Sequence, residues 1–123
     1  MIGYVTLGTN DMAKAGEFYD ALLGEIGAKR FMEMDGFIAW AVDPQQPALS
    51  VIKPYDGNEA TVGNGVMVAL PAQNTDQVDA LYARAIELGA KDEGAPGPRG
   101  DNFYAAYFRD MDGNKLNFFC MTE

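Results

Sequence analysis

The sequence predicts an α+β domain built from two β-α-β-β-β modules, and three observations predict it. Phe103 to Phe119 reads as strand, turn, strand: apolar and aromatic residues run to Phe108, Asp110 to Asn114 supplies turn chemistry, and Leu116 to Phe119 resumes an extended apolar pattern. A degenerate copy of this hairpin lies 67 positions earlier, the distance from Asp43 to Asp110. At that offset Phe37-Ile38-Ala39-Trp40-Ala41-Val42-Asp43 falls on Tyr104-Ala105-Ala106-Tyr107-Phe108-Arg109-Asp110, and Leu49-Ser50 falls on Leu116-Asn117. The repeat continues outside the hairpin, where Tyr4-Val5-Thr6-Leu7 matches Met67-Val68-Ala69-Leu70 and Tyr19 matches Tyr82, both at an offset of 63.

In chain order, Ile2 to Leu7 is rich in β-formers, with Val5 and Leu7 on one face and Tyr4 and Thr6 on the other. Asn10 is the expected cap of a helix over Met12 to Leu23, in which Ala15, Phe18, Tyr19 and Leu22 fall at the i, i+3, i+4, i+7 spacing of one buried face. Arg30 to Glu33, Gly36 to Val42 and Ala48 to Lys53 read as three strands, separated by Asp35-Gly36 and by the turn from Pro44 to Pro47. Module one thus spans about 1–53, a linker 54–64, and module two about 65–123. In the second module Val66 to Leu70 is a strand, and Asn74 with Gln77 resembles a capping box. It opens a helix over Thr75 to Leu88 whose apolar face is Val78, Leu81, Tyr82 and Ala85. Gly94 to Gly100, with two prolines, reads as a loop leading into the long hairpin.

Composition bounds the function. A chain of 123 residues is one domain by size, and its 48% hydrophobic content suffices for a single core. A formal charge of −9 without any basic cluster argues against nucleic acid and anionic membrane surfaces as partners. The lone Cys120, flanked by Phe119 and Met121, is expected to be reduced and buried, and with no secretory leader or apolar span the expected location is cytoplasmic. Asp110-Met111-Asp112-Gly113-Asn114 looks like the start of a calcium loop, but its glycine comes too early and strands flank it, so it reads as a turn. Arg99-Gly100-Asp101 looks like a cell-adhesion tripeptide, but three residues carry little information in a loop, so it reads as chance.

A β-α-β-β-β unit buries its faces poorly alone, so two copies are expected to pack as a pair, with a helix on the convex side of each curved sheet and a concave side left over. With Tyr4-Val-Thr-Leu-Gly-Thr-Asn-Asp11, the Phe18-Tyr19 pair and Tyr107-Phe-Arg-Asp-Met-Asp-Gly-Asn114 in order, the chain resembles the vicinal oxygen chelate superfamily over its whole length. This is the glyoxalase, bleomycin-resistance and extradiol-dioxygenase group, and the resemblance is to its small glyoxalase-like bacterial members. It implies a cupped, mostly antiparallel sheet and a homodimer, as open sheet edges are commonly completed by a partner.

Metal-dependent relatives hold a divalent ion at four positions that transfer to Tyr4, Ser50, Met67 and Asn117. No histidine exists in this chain, and a phenol, a hydroxyl, a thioether and a neutral amide are poor donors for such an ion, so neither a metal nor another cofactor is expected. The resemblance also places Ile38, Trp40, Ala105, Tyr107 and Arg109 on the cavity side. The expected ligand-binding set is therefore Tyr4, Thr6, Trp40, Ser50, Met67, Tyr107, Arg109 and Asn117. It suits a metal-free binder of a small aromatic or amphipathic molecule. Two other classes compete: a metal-independent lyase or isomerase with Tyr4 or Tyr107 as acid or base and Arg109 stabilising negative charge, and a dimeric interaction module whose cup is filled by side chains.

Overall fold

The computed structural model describes residues 1–123, and the chain divides into two compact units, Met1–Thr61 and Val62–Glu123. The first contains β1 (Tyr4–Gly8), α1 (Met12–Gly24), β2 (Lys29–Met34), β3 (Phe37–Ala41) and β4 (Ala48–Ile52), its strands ordered β1-β4-β3-β2. The second contains β5 (Val68–Pro71), α2 (Thr75–Glu87), β6 (Lys91–Pro98), β7 (Phe103–Arg109) and β8 (Lys115–Met121), ordered β5-β8-β7-β6. In each sheet the first and last strands of the module pair in parallel, β1 with β4 and β5 with β8, and the remaining pairs are antiparallel. The β-α-β-β-β module therefore occurs twice, as the repeat predicts.

Helix starts follow side-chain chemistry. Asp11, not Asn10, caps α1 by accepting from the Lys14 N–H at 3.0 Å. Asn10 is diverted to the segment after β4, where its Oδ1 accepts from the Ala60 N–H at 2.7 Å and its Nδ2 donates to the Ala60 carbonyl at 3.2 Å. Asn74 does cap α2, accepting from Gln77 N–H at 2.8 Å, while Gln77 Oε1 accepts from Gln73 N–H at 2.7 Å. The reciprocal arm thus reaches one residue farther back than in a capping box.

Each helix covers one face of its own sheet. α1 buries Ala15, Phe18, Tyr19, Leu22 and Leu23, and α2 buries Val78, Leu81 and Ala85. The strand residues beneath them include Leu7, Leu49 and Val51 in the first unit and Leu116 and Phe118 in the second, all buried. Burying an aliphatic or aromatic side chain of this kind contributes about 1.5–3 kcal/mol, so these two layers supply the main driving force of each module.

Two expectations are corrected here. Ile38 and Trp40 face the helix, not a cavity: Trp40 is 1% exposed, its ring centroid lies 5.5 Å from that of Tyr19, and its indole N–H donates to Asp20 Oδ1 at 2.8 Å. The reason is a one-residue difference in register between the modules. Trp40 lies opposite Leu49 and Phe108 opposite Leu116, so β3 and β7 correspond at 68 positions although β4 and β8 correspond at 67. With a side-chain period of two, that single step turns Trp40 to the opposite face from Tyr107. The second correction concerns Gly94 to Gly100, of which residues 94–98 belong to strand β6 and not to a loop. β6 is an edge strand with register shifts at Asp92/Gly94 and Gly94/Gly97, and an edge tolerates Pro96 and Pro98 because their missing N–H groups interrupt no interior ladder.

The Trp40 side chain also reads out the α1 layer. Asp20 binds the Arg30 guanidinium at 2.9 Å as well as the indole, and the Arg30 hydrogen bond above all holds its carboxyl below the ordinary value. Trp40→Ala is expected to destabilise the protein by about 3–5 kcal/mol, measured as the urea unfolding midpoint by circular dichroism. A loss below about 1 kcal/mol would place the indole outside the core.

Candidate functional site

In the second unit the face opposite α2 is set by strand alternation. Tyr107 lies opposite Asn117, Ala105 opposite Phe119 and Arg109 opposite Lys115, so these residues share the open face while Leu116, Phe118 and Cys120 lie under the helix. On the other side of β7, Lys91 lies opposite Arg109 and Gly94 opposite Tyr107. This face carries a cavity of about 620 Å³ bounded by the segment 62–67 and by Tyr107, Arg109 and Lys115. Its volume falls within the roughly 300–1,000 Å³ typical of small-molecule sites.

The cavity has two chemically distinct walls. Val62, Val66 and Met67 present apolar surface, with Met67 39% exposed. Arg109 and Lys115 present positive charge, and Tyr107 adds an aromatic ring. Two cations lie over the Tyr107 ring, Arg99 and Lys115, each 5.5 Å from its centroid. Arg99 is held there by donating to the Ala95 carbonyl at 2.6 Å and the Pro98 carbonyl at 3.3 Å, so it serves the sheet and does not present an adhesion tripeptide.

Arg109 is anchored, though not by the adjacent Asp110. Its Nε donates to Glu93 at 2.7 Å and its Nη1 to the Gly113 carbonyl at 2.9 Å. Glu93 can reach it because the bulge between Asp92 and Gly94 frees that residue from the ladder. The hydrogen bond from Arg109, reinforced by the charges of Arg109, Lys115 and Lys91, keeps the Glu93 carboxyl below the ordinary carboxylate range. Asp110 instead organises the β7–β8 turn: its Oδ1 accepts from the N–H groups of Asp112 and Asn114, both at 2.9 Å, and its Oδ2 from the Asn114 side chain at 3.0 Å. That carboxylate is a turn device, as its sequence context predicts.

Of the eight predicted ligand residues, the structure brings Met67, Tyr107 and Arg109 onto this cavity and sets Asn117 beside Tyr107 in the register. Asn117 is 1% exposed and its Oδ1 accepts no hydrogen bond from the chain, which makes it a buried acceptor in need of a donor. Tyr4, Thr6 and Ser50 belong to the first unit, on the sheet face opposite α1. Tyr4 is 63% exposed and meets Phe37 edge-on at 6.3 Å, whereas Ser50 is buried and donates to the Val5 carbonyl at 2.6 Å. Sequence reasoning missed Lys115, Lys91 and Glu93. Lys115 was within reach, since it shares the parity of Asn117 and Phe119 along β8.

The model of the Glyoxalase/Bleomycin resistance protein/Dioxygenase superfamily matches residues 1–118. The chain belongs to this superfamily. A glyoxalase/bleomycin resistance protein from Albidiferax ferrireducens T118 is 35% identical, with 98% of each chain covered and a TM-score of 0.89. A glyoxalase/bleomycin resistance protein/dioxygenase family enzyme from Burkholderia phytofirmans PsJN is 19% identical over 97% of each chain, TM-score 0.80. A glyoxalase/bleomycin resistance protein/dioxygenase from Nocardioides is 23% identical over 100% of this chain and 84% of its own, TM-score 0.73. The last two share the fold alone at these identities. No curated protein matches the chain.

The residues at the positions that the resemblance assigns to a metal do not fit a divalent ion. The Ser50 hydroxyl is directed to a backbone carbonyl, Met67 offers a soft thioether, and Asn117 offers a single neutral oxygen. No three His, Cys, Asp or Glu side chains converge anywhere in either unit. What this glyoxalase-like chain has built in the second unit is a cavity lined by a ring, two cations and apolar side chains.

The cavity wall depends on a glycine in β6. A Cβ at Gly94 would come within 3.1 Å of the Tyr107 ring and 3.3 Å of Arg99, and the residue has a φ of +155°. Gly94→Ala is therefore expected to lower stability by about 1–3 kcal/mol and to displace Tyr107. Thermal denaturation together with the chemical shifts of the Tyr107 ring checks this, and an unchanged melting temperature with unmoved ring resonances would contradict it.

Proposed function

We propose that this glyoxalase-like protein binds a small aromatic or amphipathic molecule, without the superfamily's metal chemistry, and that the cavity of the second unit is where it does so. The observation that supports this reading is the open volume beside Tyr107, on a face where a filled cup would have packed side chains. Trp40, buried against α1, belongs to the fold and takes no part in recognition.

The test uses anilinonaphthalenesulfonate, an aromatic amphipathic dye whose emission rises on burial. Tyr107→Ala is expected to weaken its binding roughly threefold to tenfold, the scale of an aromatic contact, while stability changes by about 1 kcal/mol. Unchanged dye affinity in that variant, measured by fluorescence titration, would remove the cavity from the proposal.

A homodimer is part of the same proposal. Edge strand β2 exposes Phe31, Met32 and Met34, and Tyr4 and Met121 add exposed apolar area, more than a monomer needs to display. Sedimentation equilibrium is expected to give twice the 13.3 kDa chain mass. A single-chain mass at high protein concentration would refute the dimer and leave the cavity proposal standing.

A further inference from the structure

Lys91, Arg109 and Lys115 form a row of cross-strand neighbours over β6, β7 and β8 on the open face of the second unit. Like charges directly opposite one another in a sheet are destabilising, and here two such pairs share Arg109. Arg99, 5.5 Å from the Tyr107 ring, adds a fourth cation to the same face. The whole chain has 9 basic residues against 18 acidic ones, so nothing in its composition forces four of them together. One acid on this face answers them, Glu93, which binds Arg109 through Nε. Sequences keep local conflicts of this kind where a site requires them.

We infer that the ligand of this cavity is a small amphipathic carboxylate, its anionic head between Lys115 and Arg109 and its apolar body against Tyr107, Val66 and Met67. This rests on the reading of the cavity as a binding site and specifies what it selects. Apolar side chains and two cations line one volume, a combination that suits a hydrophobic acid better than a neutral molecule or a polyanion. Arg109 has committed the N–H of Nε to Glu93 and one N–H of Nη1 to the Gly113 carbonyl, which leaves three of its five N–H donors, on Nη1 and Nη2, for a ligand. An anionic head shared between those N–H groups and the Lys115 ammonium matches the remaining donors.

Calorimetric titration of the full chain with naphthoate and with naphthylmethanol tests the inference, since the two share a ring system and differ in charge. Naphthoate is expected to bind roughly tenfold more tightly than the alcohol, the usual scale of a hydrogen bond to a charged group. Lys115→Gln should remove most of that preference by weakening naphthoate far more than the alcohol, and Lys115→Arg should restore it. Salt raised from about 0.05 to 0.5 M should weaken naphthoate alone. Circular dichroism confirms that each variant folds. Equal binding of both compounds, with Lys115→Gln indifferent, would overturn the carboxylate assignment and leave the binding site intact. Failure of both compounds to bind at millimolar concentration would overturn the site and the assignment together.

Discussion

Each four-stranded sheet can bury only one face against its helix, and that asymmetry governs the rest of the structure. In the first unit the buried layer runs from Phe18, Tyr19 and Leu22 onto Leu49, Val51 and Trp40; in the second it runs from Val78, Leu81 and Ala85 onto Phe108, Leu116 and Phe118. Phe108 and Phe118 stack at 5.7 Å, and Trp40 leans on Tyr19 at 5.5 Å. With the apolar side chains spent on these layers, period-two alternation leaves the opposite face to residues under other demands.

What the second unit does with that freedom is distinctive. A sheet face devoted only to solubility would alternate charges to gain cross-strand pairs. Here Lys91, Arg109 and Lys115 are aligned instead, and Glu93 reaches Arg109 only through a bulge. Gly94, opposite Tyr107, leaves the room in which the ring and Arg99 sit together. The bulged, glycine-containing edge strand and the charged row are parts of one arrangement, because the irregularity of β6 is what brings Glu93 and Arg99 to this side.

Superfamily membership does not by itself supply metal ligands. A β-α-β-β-β scaffold fixes where side chains point, and the chemistry depends on which residues occupy those points. At Ser50, Met67 and Asn117 the occupants are a hydroxyl already committed to Val5, a thioether and an amide, none of which neutralises a divalent charge. The same scaffold here holds a ring and cations, groups suited to recognising charge and shape.

The sequence by itself determined the two modules, both helices with most of their buried faces, and the poor metal donors, because periodicity and residue chemistry are local properties. Met67, Tyr107, Arg109 and Asn117 were also legible, through alternation and the superfamily pattern. Only the tertiary structure decided the side of the sheet on which Trp40 lies, since a one-residue change of register between β3 and β7 leaves no mark in a self-alignment yet reverses every side chain. It also decided that the proline-containing stretch after Lys91 is a paired edge strand and that Arg109 answers to Glu93 and not to Asp110. These outcomes depend on which backbone groups find partners across strands, a long-range matter that residue order within any one segment does not express.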